Sequence, residues 1–111
     1  MVKYIPKRGD FIYLSFDPQA GHEQMGTRPA LVVSHSLFNQ KMGFVFVCPI
    51  SNTRRKNPFY VPILKGIKVT GVIMADQLRS LDYKARKSSL ICECPENLLQ
   101  EVLMRIEPIM F

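Results

Sequence analysis

The run Phe44-Val45-Phe46-Val47-Cys48-Pro49-Ile50 constrains the fold more than any other stretch of this chain. Aromatic and β-branched side chains fill it, and these fit a pleated, half-buried surface better than a helix. It predicts the strongest strand in the sequence. Pro49 cannot donate to a ladder, so the far end of that strand is weakened. A chain built on such a run must supply further strands to pair with it.

Shorter runs of the same kind are present. Phe11-Ile12-Tyr13-Leu14-Ser15-Phe16 predicts a strand closed by Asp17-Pro18, with Ile12, Leu14 and Phe16 on the core face by the two-residue period. Ala30-Leu31-Val32-Val33 is continuously apolar, as in a strand covered on both sides. Ser34 is placed to cap a helical turn or two over residues 36–41, ended near Gly43. Residues 59–64 predict a strand that Pro62 consigns to an edge. Residues 69–75 predict another, in which Gly71 marks a bulge or a close backbone approach. Residues 76–82 are ambiguous, although Leu78 and Leu81 suit a brief strand, and residues 88–93 predict the last one.

The period then changes. Leu98, Leu99, Val102, Leu103 and Ile106 recur at three-to-four spacing on one helix face, with Pro95 at a first helical position and Pro108 as the stop. Glu101 and Arg105 can pair on the outer face. Short strands joined by Gly and Pro turns, then one amphipathic helix, predict a mainly β fold: a compact antiparallel barrel with a helix packed on it. A single domain over residues 1–111 is expected.

Composition narrows the partners. Hydrophobic residues at 47% against 22% charged argue for a folded chain rather than disorder. Fifteen Lys and Arg against nine Asp and Glu leave a net charge of +6, which favours polyanionic partners but is equally met by solvated lysines. Three cysteines cannot all pair, and residues 1–8 contain no apolar core of a signal peptide, so a reducing cytoplasm is expected. Cys92-Glu93-Cys94 with His22 and His35 lacks metal-ligand spacing, so no metal or cofactor is expected. No apolar run approaches the length of a membrane span.

The chemistry-bearing stretch is Gly21-His22-Glu23-Gln24-Met25-Gly26-Thr27-Arg28-Pro29-Ala30-Leu31-Val32. It confines an imidazole, a carboxylate, an amide, a hydroxyl and a guanidinium to one loop at the mouth of a strand, and Pro29 biases Arg28 towards an extended backbone. The stretch resembles the G-x-E-Q-x-G-x-R-P-x-L-V signature of the MazF/PemK (Kid) toxins. Further matches follow in order: Arg8-Gly9-Asp10 with Phe16-Asp17-Pro18, Val47-Cys48-Pro49-Ile50-Ser51, and Gly71-Val72-Ile73-Met74-Ala75-Asp76-Gln77, similar to G-V-x-x-x-D-Q. The resemblance runs over nearly the whole chain.

It implies a small SH3-like (CcdB/PemK-type) barrel acting as a homodimer on single-stranded RNA. It also implies an endoribonuclease that needs no metal and whose 2′-OH attack leaves a 2′,3′-cyclic phosphate and a 5′-OH. The implied partner is an antitoxin with an acidic, flexible tail. Glu23, Arg28 and Ser51 match the positions that MazF-type members use. Such an attack needs a proton acceptor, charge stabilisation at phosphorus and help for the leaving oxygen. Glu23 is suited to the first task and Arg28 to clamping phosphoryl oxygens with its fork of N–H donors, with Ser51 adding a hydrogen bond. A guanidinium stays protonated in proteins and is a poor acid.

PemK-like members use a His, an Arg and an Asp, at positions corresponding to His22, Met74 and Asp76. Met74 can neither donate a proton nor offset charge, so that set is incomplete. His22 remains a candidate acid. Asp76 is either catalytic or a brace for its loop. Arg54, Arg55 and Lys56 can reach phosphates, while Asn52, Asn57, Phe59 and Tyr60 can read or stack on unpaired bases. Thr27, Thr53, Gln77 and Arg86 complete the candidate RNA contacts.

Each residue has a plainer reading. Arg28 could pair with Glu23, Ser51 could be a turn residue, and the basic run could be a solvated face. Two other functions compete: a non-enzymatic gyrase poison of the CcdB type, and an RNA-binding module without catalysis.

Overall fold

The computed structural model describes residues 3–16 and 26–111. Within them the chain runs β1 (Asp10–Ser15), β2 (Thr27–Val32), α1 (Ser36–Met42), β3 (Phe44–Ser51), β4 (Tyr60–Pro62) and β5 (Val72–Met74). A 3-10 turn (Ala75–Gln77) leads to β6 (Arg79–Asp82), β7 (Ser89–Glu93) and α2 (Glu96–Met110).

The others assemble on β3, as its composition requires. One of its edges pairs antiparallel with β2, from Ala30 opposite Pro49 to Val32 opposite Val47. Its other edge is divided: residues 44–47 pair with β6, and Ile50 and Ser51 pair with β5. Val47 faces Arg79 while Ile50 faces Ile73, so three steps along β3 match six along its partner. The three residues of the 3-10 turn take up the difference. This is an enlarged bulge, and it turns Asp76 and Gln77 out of the ladder.

The hydrogen-bonded path is β4-β5-β3-β2-β1-β7, with β6 beside β3 off that path. β4 and β7 form its two ends, so the barrel-like sheet is not closed by a ladder between them. Pro62 lies on β4 at one of these ends, where its missing N–H costs the sheet nothing.

The central strands bury both faces over residues 11–12, 30–32 and 47–50, where they read as unbroken apolar runs, whereas Tyr13, Phe44 and Phe46 turn one face to solvent. Phe11, Leu31, Cys48, Ile50 and Ile73 meet Leu98, Leu99 and Val102 of α2 in one cluster. Ile12, Leu14, Phe16, Ala30, Val32, Val45 and Val47 form a second with Leu81 and Tyr83 from β6 and beyond. Where both faces are covered, the alternation along β1, β2 and β3 deals successive side chains to the two clusters. The strip over α2 is the one the helical period marks, and Glu101 pairs with Arg105 at 2.7 Å on its outer side.

Several local expectations are corrected. His35, not Ser34, caps α1: its Nδ1 accepts from the Leu37 N–H at 3.0 Å. Ser34 is drawn away because its Oγ donates to Asn39 Oδ1 at 2.5 Å and accepts from the Phe46 N–H at 2.9 Å. Gly43 ends α1 at φ 71, as expected. Pro95 is the N-cap of α2 rather than its first helical residue, and Pro108 lies inside the helix. Only Ile109 and Met110 of the helix lie beyond Pro108, whose ring nitrogen cannot donate to the Met104 carbonyl, and the Phe111 N–H closes on Glu107 O at 2.9 Å. The strand predicted over 59–64 shrinks to β4, and that over 69–75 to β5, because its last residue enters the 3-10 turn. β2 begins earlier than predicted, taking in Thr27 and Arg28.

Among the described residues no helix is long and apolar enough to cross a membrane.

Candidate functional site

Arg28 and Ser51 are the two catalytic candidates that the strand register directs towards one place. Arg28 lies opposite Leu14 of β1, and Ser51 opposite Val72 of β5. Continuing the β2–β3 register one pair of steps past Ala30 and Pro49 sets Arg28 across from Ser51. By alternation both belong to the rows of Ala30, Val32, Val45 and Val47, and they stand where the second apolar cluster ends. The guanidinium is exposed and the hydroxyl half-buried, so a polyanion can approach the pair from outside. Pro29 favours the extended backbone that points Arg28 there, and β2 adopts it.

The turn that follows Ser51 is held by its own hydroxyls. Ser51 Oγ accepts from the Thr53 N–H at 3.2 Å, and Thr53 Oγ1 accepts from the Arg55 N–H at 3.2 Å. These bonds replace a ladder the chain has left, a usual role for Ser and Thr in turns. They leave Asn52, Arg54, Arg55 and Lys56 exposed along one loop. Gly71 packs against the start of that loop. It has φ 115, and a Cβ there would lie 2.9 Å from the Ser51 carbonyl carbon and 3.0 Å from Asn52 Oδ1. The expected close approach is thus between Gly71 and Ser51. Thr70 Oγ1 meets Asn52 Oδ1 at 3.4 Å beside it.

Asp76 keeps other company. Its Oδ2 accepts from Asn57 Nδ2 at 3.4 Å, while Asn57 Oδ1 accepts from the Phe59 N–H at 2.8 Å. This is the bracing geometry of a loop carboxylate. Burial pushes the Cys48 thiol up to about 12, and the Asp76 charge adds to that. Met74 is buried opposite Tyr60. Of the remaining candidates, Thr27 is exposed opposite Ser15, and Gln77 and Phe59 are half-buried. Among the described residues no three His, Cys, Asp or Glu side chains group as metal ligands. His22 and Glu23 lie outside the described residues.

The chain enters and leaves that stretch at a pinned base, where the Phe16 N–H bonds Gly26 O at 2.9 Å. Two further arginines come to this base. Arg86 Nη1 donates to Ser15 O at 3.1 Å, and its carbonyl accepts from the Ser15 N–H at 3.0 Å. The Arg79 guanidinium carbon lies 5.4 Å from the centre of the Phe16 ring. Arg86 was among the sequence candidates, but Arg79 was not. Its signal was the alternation Arg79, Leu81, Tyr83, whose last two members face the second cluster.

Fold and site together define a small basic protein whose barrel-like sheet gathers cationic and hydroxyl groups at the ends of its strands. The chain belongs to the PemK-like, MazF-like toxins of type II toxin–antitoxin systems, whose family pattern matches residues 7–110. It is 40% identical over 108 residues to Endoribonuclease PemK of Escherichia coli, covering 94% of this chain and 81% of that one. It is also 40% identical over 84 residues to the endoribonuclease toxin MazF of Escherichia coli K12, covering 76% and 75%. Among solved structures, MazF of Deinococcus radiodurans superposes with a TM-score of 0.92 at 38% identity, covering 97% of this chain and 98% of that one. A MazE–MazF structure from the same organism gives 0.88 at 38% identity, covering 97% of each.

Proposed function

We propose that this chain is the toxin of a type II toxin–antitoxin system and acts as a sequence-specific, metal-independent endoribonuclease on single-stranded RNA. The observation that carries this reading is the register of β2 with β3, which, continued past Ala30 and Pro49, sets Arg28 across from Ser51 immediately after the stretch bearing His22 and Glu23. The ribose 2′-oxygen attacks the adjacent phosphorus as Glu23 accepts its proton. The bond from phosphorus to the 5′-oxygen breaks, leaving a 2′,3′-cyclic phosphate and a 5′-OH. Arg28 holds the phosphoryl oxygens as charge develops on them, and Ser51 supplies a further hydrogen bond. His22 is the candidate donor to the leaving oxygen, whereas Asp76 acts as a brace through Asn57.

Asn52, Thr53, Arg54, Arg55, Lys56 and Phe59 make a cationic loop suited to unpaired RNA, with Thr27, Gln77 and Arg86 at its margins. The toxin is read as one domain, working as a cytoplasmic homodimer. Its partner is an antitoxin, a reading supported by the MazE–MazF structures among the solved relatives, and that antitoxin is expected to carry an acidic flexible tail that complements the basic loop.

The test is cleavage of a long single-stranded RNA in EDTA, with the product ends mapped. Cyclic-phosphate ends, lost in Arg28→Ala while RNA binding persists, support the proposal. Intact RNA from folded, antitoxin-free protein refutes it. Binding to gyrase without RNA cleavage would favour the CcdB-type alternative.

A further inference from the structure

Two guanidinium groups reach the pinned base between Phe16 and Gly26, and β2 carries a third arginine beside it. Arg28 follows Gly26 by two residues on β2, Arg86 bonds Ser15 O, and Arg79 comes from β6 to lie over Phe16. Arg79 stands on β6 opposite Val47, so its row belongs to the same face as Arg28 and Ser51. Its Cα is several residues further along β3 than Ser51, yet its side chain returns to the Phe16 ring.

Phe16 is completely buried, so the Arg79 guanidinium packs over a surface that water does not reach. A guanidinium over an aromatic face is attracted by the ring's quadrupole, and its several N–H donors make it well suited to phosphate. The arrangement holds a long side chain in one orientation, which lowers the entropy lost when it takes up an anion. Bringing cations to one rim also raises the local potential for a polyanion.

We infer that Arg79 is an RNA-binding residue that contacts a backbone phosphate flanking the one held by Arg28. This rests on the proposed endoribonuclease reading. It extends the RNA path from the loop after Ser51 across the ends of β2 and β1 to β6. Arg79 has no part in the bond-making step, so its loss affects binding more than turnover.

The test compares wild type with Arg79→Ala and Arg79→Met, the second keeping an apolar stem over Phe16 without charge. Affinity for a single-stranded RNA blocked by 2′-O-methyl groups is measured as salt is varied, beside KM and kcat on the unblocked RNA. Removal of one phosphate contact lowers the slope of log affinity against log salt by about 0.7. KM rises several-fold with kcat near wild type, and melting curves report the fold. If either variant that melts as wild type keeps the wild-type slope and KM, the inference fails. If both unfold, Arg79→Lys decides: a point charge without the stacked fork should keep the slope and raise KM, and an unchanged KM overturns the assignment. Should wild type cleave RNA while these outcomes go against Arg79, the endoribonuclease reading stands alone. Should wild type neither bind nor cleave RNA, both fall.

Discussion

Substituting Gly71 by Ala tests whether the Ser51 end of the site depends on one close backbone approach. Gly71 has φ 115, a region L-residues avoid, and its missing Cβ leaves room for the carbonyl of Ser51 and the amide of Asn52. Gly66 provides the control, because its φ is 93 but a Cβ there meets nothing within 4 Å. Gly66→Ala therefore carries torsional strain alone, on the order of 1–3 kcal/mol. Gly71→Ala carries that strain and the collision, and backbone atoms on both sides cannot swing away as a flexible side chain would. An excess of roughly 1–2 kcal/mol over Gly66→Ala is expected, by analogy with overpacking in a core.

Urea unfolding measures both variants. With a slope of about 1–3 kcal/mol/M for a small protein, the Gly71 midpoint should fall on the order of 1 M below the Gly66 one, with the slopes alike. Cleavage should fall in Gly71→Ala by more than its unfolded fraction explains, because relief of the collision moves Ser51. Equal midpoints for the two variants, or a destabilised Gly71→Ala that cleaves RNA as wild type does, would refute the packing argument.

Other outcomes follow from single groups. Ser51→Ala should cost about 0.5–1.5 kcal/mol through the lost bond from the Thr53 N–H and reduce kcat by roughly 10²-fold if its hydroxyl meets developing charge, measured by single-turnover cleavage. Asn39→Ala strips donors from Pro6 O at 2.8 Å and Ser34 O at 3.2 Å inside the protein and should cost about 1–3 kcal/mol in urea melts. The buried Cys48 thiol has its pKa raised from 9.0 to about 12, so it stays protonated in the native state after the unfolded chain has begun to ionise. Stability from this group is complete below pH 9 and is lost between pH 9 and 12, by up to about 1.4 kcal/mol per pH unit. Cys48→Ala should flatten that part of the unfolding profile, whatever it costs at neutral pH.

What the sequence made legible was whatever depends on neighbours along the chain. The aromatic and β-branched run from Phe44, the two-residue period of β1 and the helical period after Pro95 each report which face is buried, because side-chain direction follows backbone geometry. Pro62 announced an edge and Gly71 a close approach, since each follows from the backbone chemistry of one residue. The pattern around Glu23, Arg28 and Ser51 was legible as well, through the resemblance of several ordered segments to one toxin family.

The tertiary structure decided what depends on distant partners. Ser34 has the chemistry of a cap, but Asn39 and the Phe46 N–H claim its hydroxyl, and His35 takes the role. The three-residue slip between β5 and β6 arises because both segments pair with one strand, and no local periodicity encodes that offset. The same pairing turns Asp76 towards Asn57 and sets Arg79 on the inner row. Phe16 then draws Arg79 to the rim, because a guanidinium can rest over an aromatic face that the sheet has already buried. Local chemistry supplied the candidate groups, and strand register determined which of them come near one another.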